Sequence, residues 1–166
     1  MAFDLPSRPR RNRRSAAVRA LVRETVLTPA DLTWPLFVVE GEGQRIPIGS
    51  MPGSARLSID LLVTEASEAH ALGIPAVALF PALDESLKDR TATESTNPGG
   101  LLQRAVRALK ERVPGLVVIT DVAMDPYSSD GHDGLVSDGE ILNDETLPIL
   151  AAMAVAQAEA GADIVA

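Results

Sequence analysis

The chain has 166 residues, no cysteine and a formal net charge of −8; 46% of its residues are hydrophobic but only 3% are aromatic. This composition is sufficient for an aliphatic core, and it excludes disulfides and any metal site built on thiolates. No apolar run reaches the length of a membrane span and no stretch resembles a signal peptide. The sequence therefore predicts a soluble, cytoplasmic protein that does not bind membranes.

Charge is distributed unevenly along the chain. Seven of the fifteen basic residues lie among the first 23 positions, and the acidic remainder argues against a nucleic-acid-binding body. Residues 1–14 contain two prolines and little apolar surface, so we expect an extended arm, followed by a helix over Ser15–Glu24. The arm could be a solvated tail, a nucleic-acid contact that lacks aromatic residues for stacking, or an arm that reaches the acidic body of a neighbouring subunit.

Four short apolar runs predict β-strands, and segments with helical spacing separate them. The strands are predicted over Trp34–Val39, Ala76–Phe80, Leu116–Thr120 and Ala162–Ala166. The first intervening helix is expected to begin at Ser58, with Gly73 as its C-cap. Its buried stripe is predicted to consist of Ile59, Leu62, Ala66, Ala69 and Leu72. The second helix is predicted over Leu101–Val113, and the third is expected to be capped by Asp144 and to end at Ala160.

Strands that alternate with helices predict an α/β protein with a parallel sheet and right-handed crossovers. A spacing of about forty residues per unit is typical of a TIM (β/α)₈ barrel. No GxGxxG follows the first strand to favour a dinucleotide-binding fold. Because four strands cannot close an eight-stranded barrel, we interpret residues 25–166 as the first half of a barrel that is truncated at strand four. Residues 1–24 form its amino-terminal arm with a short helix.

The third strand runs into an acid-rich loop, LVVITDVAMDPYSSDGHDG. Asp121 follows the strand directly, so it could cap a turn or act as a carboxylate that orients or deprotonates a substrate. Asp125, His132 and Asp133 could converge on a cation if the loop folds back, and oxygen ligands favour a hard ion such as Mg²⁺. Of the only two lysines, Lys110 is expected to be solvated on its helix. Lys88 lies in the loop after strand two, on the active-site side of a barrel, where a lone lysine is more often a solvated charge than a Schiff-base former.

Seven segments, in order, resemble the porphobilinogen synthase (5-aminolevulinate dehydratase) family. They are RPRRNRR, WPLFVVEGEG, MPGSARLSID, LKD with NPGGL, DVAMDPYSSDGHDG, NDETL and AEAGADIVA. The likeness covers nearly the whole chain, and DVAMDPYSSDGHDG is its most specific part. It implies a TIM barrel whose amino-terminal arm wraps a neighbouring subunit, usually in a homo-octamer. It also implies the condensation of two 5-aminolevulinate molecules to porphobilinogen, with loss of two waters, in tetrapyrrole (heme) biosynthesis.

The resemblance also assigns residues. Asp121 matches the family's active-site aspartate, while Ala123, Asp125 and Asp133 stand where many members have three zinc-binding cysteines. The chain therefore resembles the branch of the family with aspartate in this loop, which is suited to Mg²⁺, to a monovalent cation or to no catalytic metal. The family's two Schiff-base lysines lie beyond Ala166, so the segment alone is expected to be inactive. Two alternatives stay open: a non-catalytic assembly module that acts through the basic arm, and a barrel lyase for another keto acid.

Overall fold

The computed structural model describes Pro6 and residues 10–166. The helices are α1 (Ala16–Leu21), α2 (Ile59–Ala71), α3 (Leu101–Arg112) and α4 (Asn143–Glu159). The strands are β1 (Thr33–Val39), β2 (Arg45–Pro47), β3 (Ala55–Leu57), β4 (Ala76–Ala82), β5 (Val117–Thr120), β6 (Val136–Ser137), β7 (Glu140–Ile141) and β8 (Ile164–Val165). Within the described part of the chain, no helix has the length and apolar composition needed to cross a membrane.

Six strands form the main sheet in the order β2-β3-β1-β4-β5-β8. The pairs from β3 to β8 are parallel, and only β2 pairs antiparallel, with β3. The four predicted strands are β1, β4, β5 and β8, and each adds to the same edge of the sheet as the one before it. Sequential addition is the strand order of a barrel, whereas a doubly wound sheet reverses direction. The predicted parallel α/β arrangement is confirmed.

One face of the sheet is covered by helices. Buried strand residues alternate with half-buried ones, as the two-residue period of a strand requires. The strand residues Leu36, Val38, Leu57, Val77, Leu79 and Val118 are buried and pack with residues of α2 and α3 in one apolar cluster. Burial of each such side chain stabilises the fold by about 1.5–3 kcal/mol. The other face carries Phe37 and Phe80, whose ring centroids lie 5.6 Å apart.

A smaller apolar cluster lies beyond the carboxyl ends of the strands. Its buried members are Ala92 from the connection after β4, Met124 and Tyr127 from the loop after β5, and Met153 from α4. Three segments that are distant in sequence therefore share one core. This cluster holds the acid-rich loop against α4 and the connection after β4.

Beyond shifts of one residue at the ends of α3 and α4, the helices differ from the predictions in three places. The first helix ends at Leu21 rather than at Glu24; its residues are mostly exposed, and so short a helix has little tertiary packing to extend it. Asp144 lies in the first turn of α4, and Leu142 takes the N-cap position. Leu72 is 73% exposed and lies outside the buried stripe, because it is the C-cap residue of α2.

Two loops contain structure that the sequence pattern did not indicate. The connection after β1 supplies β2, which pairs antiparallel with β3, and the loop after β5 contains a small hairpin of β6 and β7. Gly73 was predicted as a C-cap, and its φ of +92° is the left-handed conformation that favours glycine. Residues 1–5 and 7–9 of the predicted arm lie outside the described residues.

Candidate active site

A cavity of about 800 Å³ opens at the carboxyl ends of β1, β4 and β5. Side chains from the face of the sheet opposite the helices and from the loops after these strands line it. The lining residues used below are Phe37, Arg56, Phe80, Lys88, Asp121 and Asp125. Sites of α/β barrels are built at this edge of the sheet, because the loops that follow the strands converge there.

Asp121 stands at the wall of this cavity, one residue after the end of β5. Its backbone carbonyl accepts a hydrogen bond from Gln157 Nε2 at 2.8 Å. The next amide, of Val122, donates to the carbonyl of Ala166 at 2.8 Å. The backbone on both sides of the Asp121 side chain is therefore anchored, and the carboxylate can face the cavity from a fixed strand end. The catalytic role of Asp121 stays a prediction.

Asp125 and Asp133 lie close together in the loop. The backbone N–H of Asp125 donates to Asp133 Oδ1 at 3.3 Å. Partial burial raises the pKa of Asp125, and the negative charges of Asp133 and Asp121 raise it further. Such mutual repulsion of carboxylates is relieved by a proton or by a cation.

The remaining polar groups of the loop do not join this pair. His132 is exposed, and Asp130 pairs instead with Arg90, whose Nε lies 3.4 Å from Asp130 Oδ2. Within Pro6 and residues 10–166, no group of three or more His, Cys, Asp or Glu side chains could hold a metal ion. The predicted convergence of His132 with the two aspartates is therefore wrong.

Two carboxylates fit only one kind of metal site. Mg²⁺ commonly binds through one or two carboxylates and keeps several waters, so Asp125 and Asp133 fit a hydrated hard cation. Structural zinc sites use four ligands, and catalytic zinc sites use three. With no cysteine in the chain, a zinc site of three thiolates is excluded.

Asp89 joins the loops that follow β4 and β5. Its backbone N–H donates to the Tyr127 carbonyl at 3.2 Å, and its carbonyl accepts from the Ser129 N–H at 3.1 Å. Its side-chain Oδ1 accepts from the amides of Thr91 and Thr93 at 2.8 and 3.2 Å. Burial opposes the ionisation of Asp89, but the hydrogen bonds from Thr93 and Thr91 outweigh it and lower the pKa. Sequence reasoning did not single out this residue, although it lies in the LKD segment.

The two lysines have different environments, and neither is simply solvated. Lys88 lines the cavity with only 19% of its side chain exposed, and its Nζ lies 2.6 Å from Glu85 Oε1. Lys110 Nζ contacts both carboxylate oxygens of Asp163 at 2.8 Å. The expectation of solvated lysines is therefore wrong. Asp163 lies at the start of β8, so Lys110 is at the opposite end of the sheet from the cavity.

Comparison with known proteins identifies relatives over nearly the whole chain. The model of the delta-aminolevulinic acid dehydratase family matches residues 6–166. A delta-aminolevulinic acid dehydratase of Bradyrhizobium diazoefficiens is 53% identical over 165 residues, which are 99% of this chain and 47% of the relative. A chloroplastic delta-aminolevulinic acid dehydratase of Selaginella martensii is 55% identical over 163 residues, covering 97% of this chain and 39% of the relative.

A solved structure shares the fold. The crystal structure of delta-aminolevulinic acid dehydratase (porphobilinogen synthase) from Toxoplasma gondii ME49, in complex with the reaction product porphobilinogen, superposes with a TM-score of 0.92 at 50% identity. It covers 98% of this chain, whereas this chain covers 46% of it. The predicted fold, the first half of a TIM barrel, is confirmed. The chain spans less than half the length of that structure and of the two relatives above.

Proposed function

Because this chain belongs to the delta-aminolevulinic acid dehydratase family, we propose that the whole protein condenses two molecules of 5-aminolevulinate to porphobilinogen. The reaction releases two waters, which makes the enzyme a hydro-lyase of tetrapyrrole (heme) biosynthesis. The family match over residues 6–166 carries this proposal. The cavity at the carboxyl ends of the strands supports it, because Asp121 supplies an acidic wall there.

Asp121 is proposed as the catalytic carboxylate of this half of the site. General acid–base groups contribute about 10²–10⁴-fold to a rate, so Asp121→Asn should lower kcat of the whole protein by a factor in that range. The amount of porphobilinogen formed is measured by the absorbance of the coloured product that it gives with an aromatic aldehyde in acid. Asp138→Asn is the matched control, since Asp138 is an exposed aspartate in the β6–β7 hairpin turn. Equal activities of the two variants would contradict the role of Asp121.

The covalent step is proposed to use lysines outside these 166 residues. A lysine amine that condenses with the substrate ketone forms a Schiff base and makes the carbon electrophilic. Lys88 is held by Glu85 and is not proposed as this nucleophile. Borohydride trapping with labelled 5-aminolevulinate should label the whole protein but not the 166-residue chain. Label on Lys88 in the shorter chain would overturn this assignment.

Asp125 and Asp133 are proposed to hold a hydrated Mg²⁺ or a monovalent cation. A bound hard cation would offset the repulsion between the two carboxylates and supply a positive charge beside the cavity. After chelation, add-back of Mg²⁺ or K⁺ should restore activity to the whole protein, and Asp125→Asn with Asp133→Asn should remove this dependence. Restoration by Zn²⁺ alone would contradict the hard-ion assignment.

The segment 1–24 is proposed as an assembly arm in a homo-octamer. Large apolar side chains next to the basic residues of this segment are exposed and available for a neighbouring subunit: Leu21 is 85% exposed and Val22 is 46% exposed. Deletion of residues 1–14 should break the octamer while the barrel stays folded, as light scattering and circular dichroism would report. Unchanged assembly would exclude this role. The cytoplasmic location stays a prediction that cell fractionation can test.

A further inference from the structure

A buried pair of polar side chains lies behind the strand end that carries Asp121. Thr120 on β5 and Gln157 on α4 are each 1% exposed. The Thr120 hydroxyl donates to Gln157 Oε1 at 2.8 Å, and Gln157 Nε2 donates to the Asp121 carbonyl at 2.8 Å. A buried amide is costly unless its polar atoms are hydrogen-bonded. Here both ends of the Gln157 amide are bonded, and both bonds lead to the end of β5.

The pair fixes a backbone position where the ladder of the sheet ends. The registers of β5 with β4 and with β8 both end at Thr120, so the Asp121 carbonyl lies just beyond the paired residues. Gln157 supplies its partner from α4, a helix of 17 residues. The direction in which the chain leaves the strand, and with it the place of the Asp121 side chain, is therefore set by α4 as well as by the sheet.

We infer that Gln157, together with Thr120, is a positioning residue that fixes the Asp121 carboxylate at the wall of the cavity. The inference rests on the proposed function, because a fixed carboxylate matters only if Asp121 takes part in the reaction. A catalytic group that moves by about 1 Å can lose about 10²-fold in rate. Gln157 does not line the cavity and does not contact the Asp121 carboxylate. Its effect on the carboxylate therefore passes through the backbone of Asp121.

Gln157→Leu tests the inference, because leucine keeps most of the volume and removes both hydrogen bonds. The control is Gln103→Leu: Gln103 is also a buried glutamine, 2% exposed, on α3, and its Nε2 donates at 2.7 Å to the Ser95 carbonyl, away from β5. In the whole protein, Gln157→Leu should lower kcat at least about tenfold with KM changed less than about threefold. Gln103→Leu should leave kcat within about twofold. A similar kcat for the two variants would overturn the inference.

Thr120→Val provides a second variant of nearly unchanged shape, which removes only the hydroxyl that orients the Gln157 amide. It should lower kcat in the same direction as Gln157→Leu. A readout that is independent of activity is amide exchange at Val122, whose N–H donates to the Ala166 carbonyl. Exchange should be at least about tenfold faster in Gln157→Leu but not in Gln103→Leu. Unchanged exchange would overturn the positioning role, whereas absence of porphobilinogen formation by the unmutated protein would refute the proposed function alone.

Discussion

Gly134 closes the acid-rich loop, and we predict that Gly134→Ala loosens the segment that follows it. A Cβ at this buried position would lie 2.6 Å from Ile141 Cγ2 and 3.2 Å from Thr146 Oγ1. Thr146 cannot easily move, since its hydroxyl donates to the Leu142 carbonyl at 2.6 Å and accepts from the Leu135 N–H at 3.1 Å. The added methyl would therefore push the hairpin of β6 and β7 away from the start of α4.

The magnitude follows from two opposing contributions. Overpacking costs about 1–3 kcal/mol, whereas replacement of glycine by alanine restricts the unfolded chain and stabilises by about 0.4–1 kcal/mol. The net destabilisation expected for Gly134→Ala is about 1–2 kcal/mol. Ile141 is half exposed, at 51%, so its side chain can rotate away from the added methyl. The destabilisation should therefore lie toward the lower end of this range. A change of this size alters an opening equilibrium by about 5- to 30-fold.

Amide exchange of the whole protein measures this opening. The reporters are the N–H of Leu135, bound to Thr146, and the N–H of Leu142, bound to the Leu135 carbonyl at 2.8 Å. Gly49→Ala is the control, because a Cβ there meets nothing within 4 Å. Ile141→Leu removes the branched methyl and should suppress part of the Gly134→Ala effect. Equal exchange in the two alanine variants would refute the steric argument.

Three further predictions concern stability. Asp163→Asn should lower the thermal midpoint, since it removes the charge that pairs with Lys110. Burial opposes the ionisation of Asp163, yet hydrogen bonds from Lys110 and Val118 hold its pKa below the usual value of an aspartate. The difference in thermal midpoint should therefore be full near neutral pH and fade in acid below about pH 4. Met153→Ala should lower the free energy of unfolding in urea by about 2–5 kcal/mol, because Met153 is fully buried. Val155 is 57% exposed on the same helix, so the control Val155→Ala should lower it by less than about 0.5 kcal/mol. Asp89→Ala should cost about 1–3 kcal/mol and speed proteolysis of residues 84–98, because the Thr91 and Thr93 amides lose their acceptor; proteolysis at the rate of the unmutated protein would contradict this role of the Asp89 carboxylate.

The regular elements were predictable because their signal is local. Apolar runs and helical spacing predicted β1, β4, β5, β8 and the three long helices, and the order of these elements predicted the sheet. Two predictions, for Leu72 and for Lys110, were wrong for the same reason: the spacing along one helix does not show which other elements cover it. Leu72 has the correct spacing for the buried stripe but lies at the end of α2, where the sheet no longer covers the helix. Lys110 looks solvated within α3, and only the return of the chain at β8 brings Asp163 to it.

The polar contacts that shape the site could not be predicted in this way, because they join residues far apart in the sequence. Thr120 and Gln157 are separated by 37 positions, and Arg90 and Asp130 by 40. In an alanine-rich helix, the sequence pattern does not distinguish a glutamine that is buried and hydrogen-bonded from one that is solvated. The motif could assign Asp121, but the group that holds Asp121 in place depends on where α4 lies after its crossover. Variation at Gln157 should therefore alter the rate through Asp121 while the DVAMDPYSSDGHDG segment itself remains unchanged.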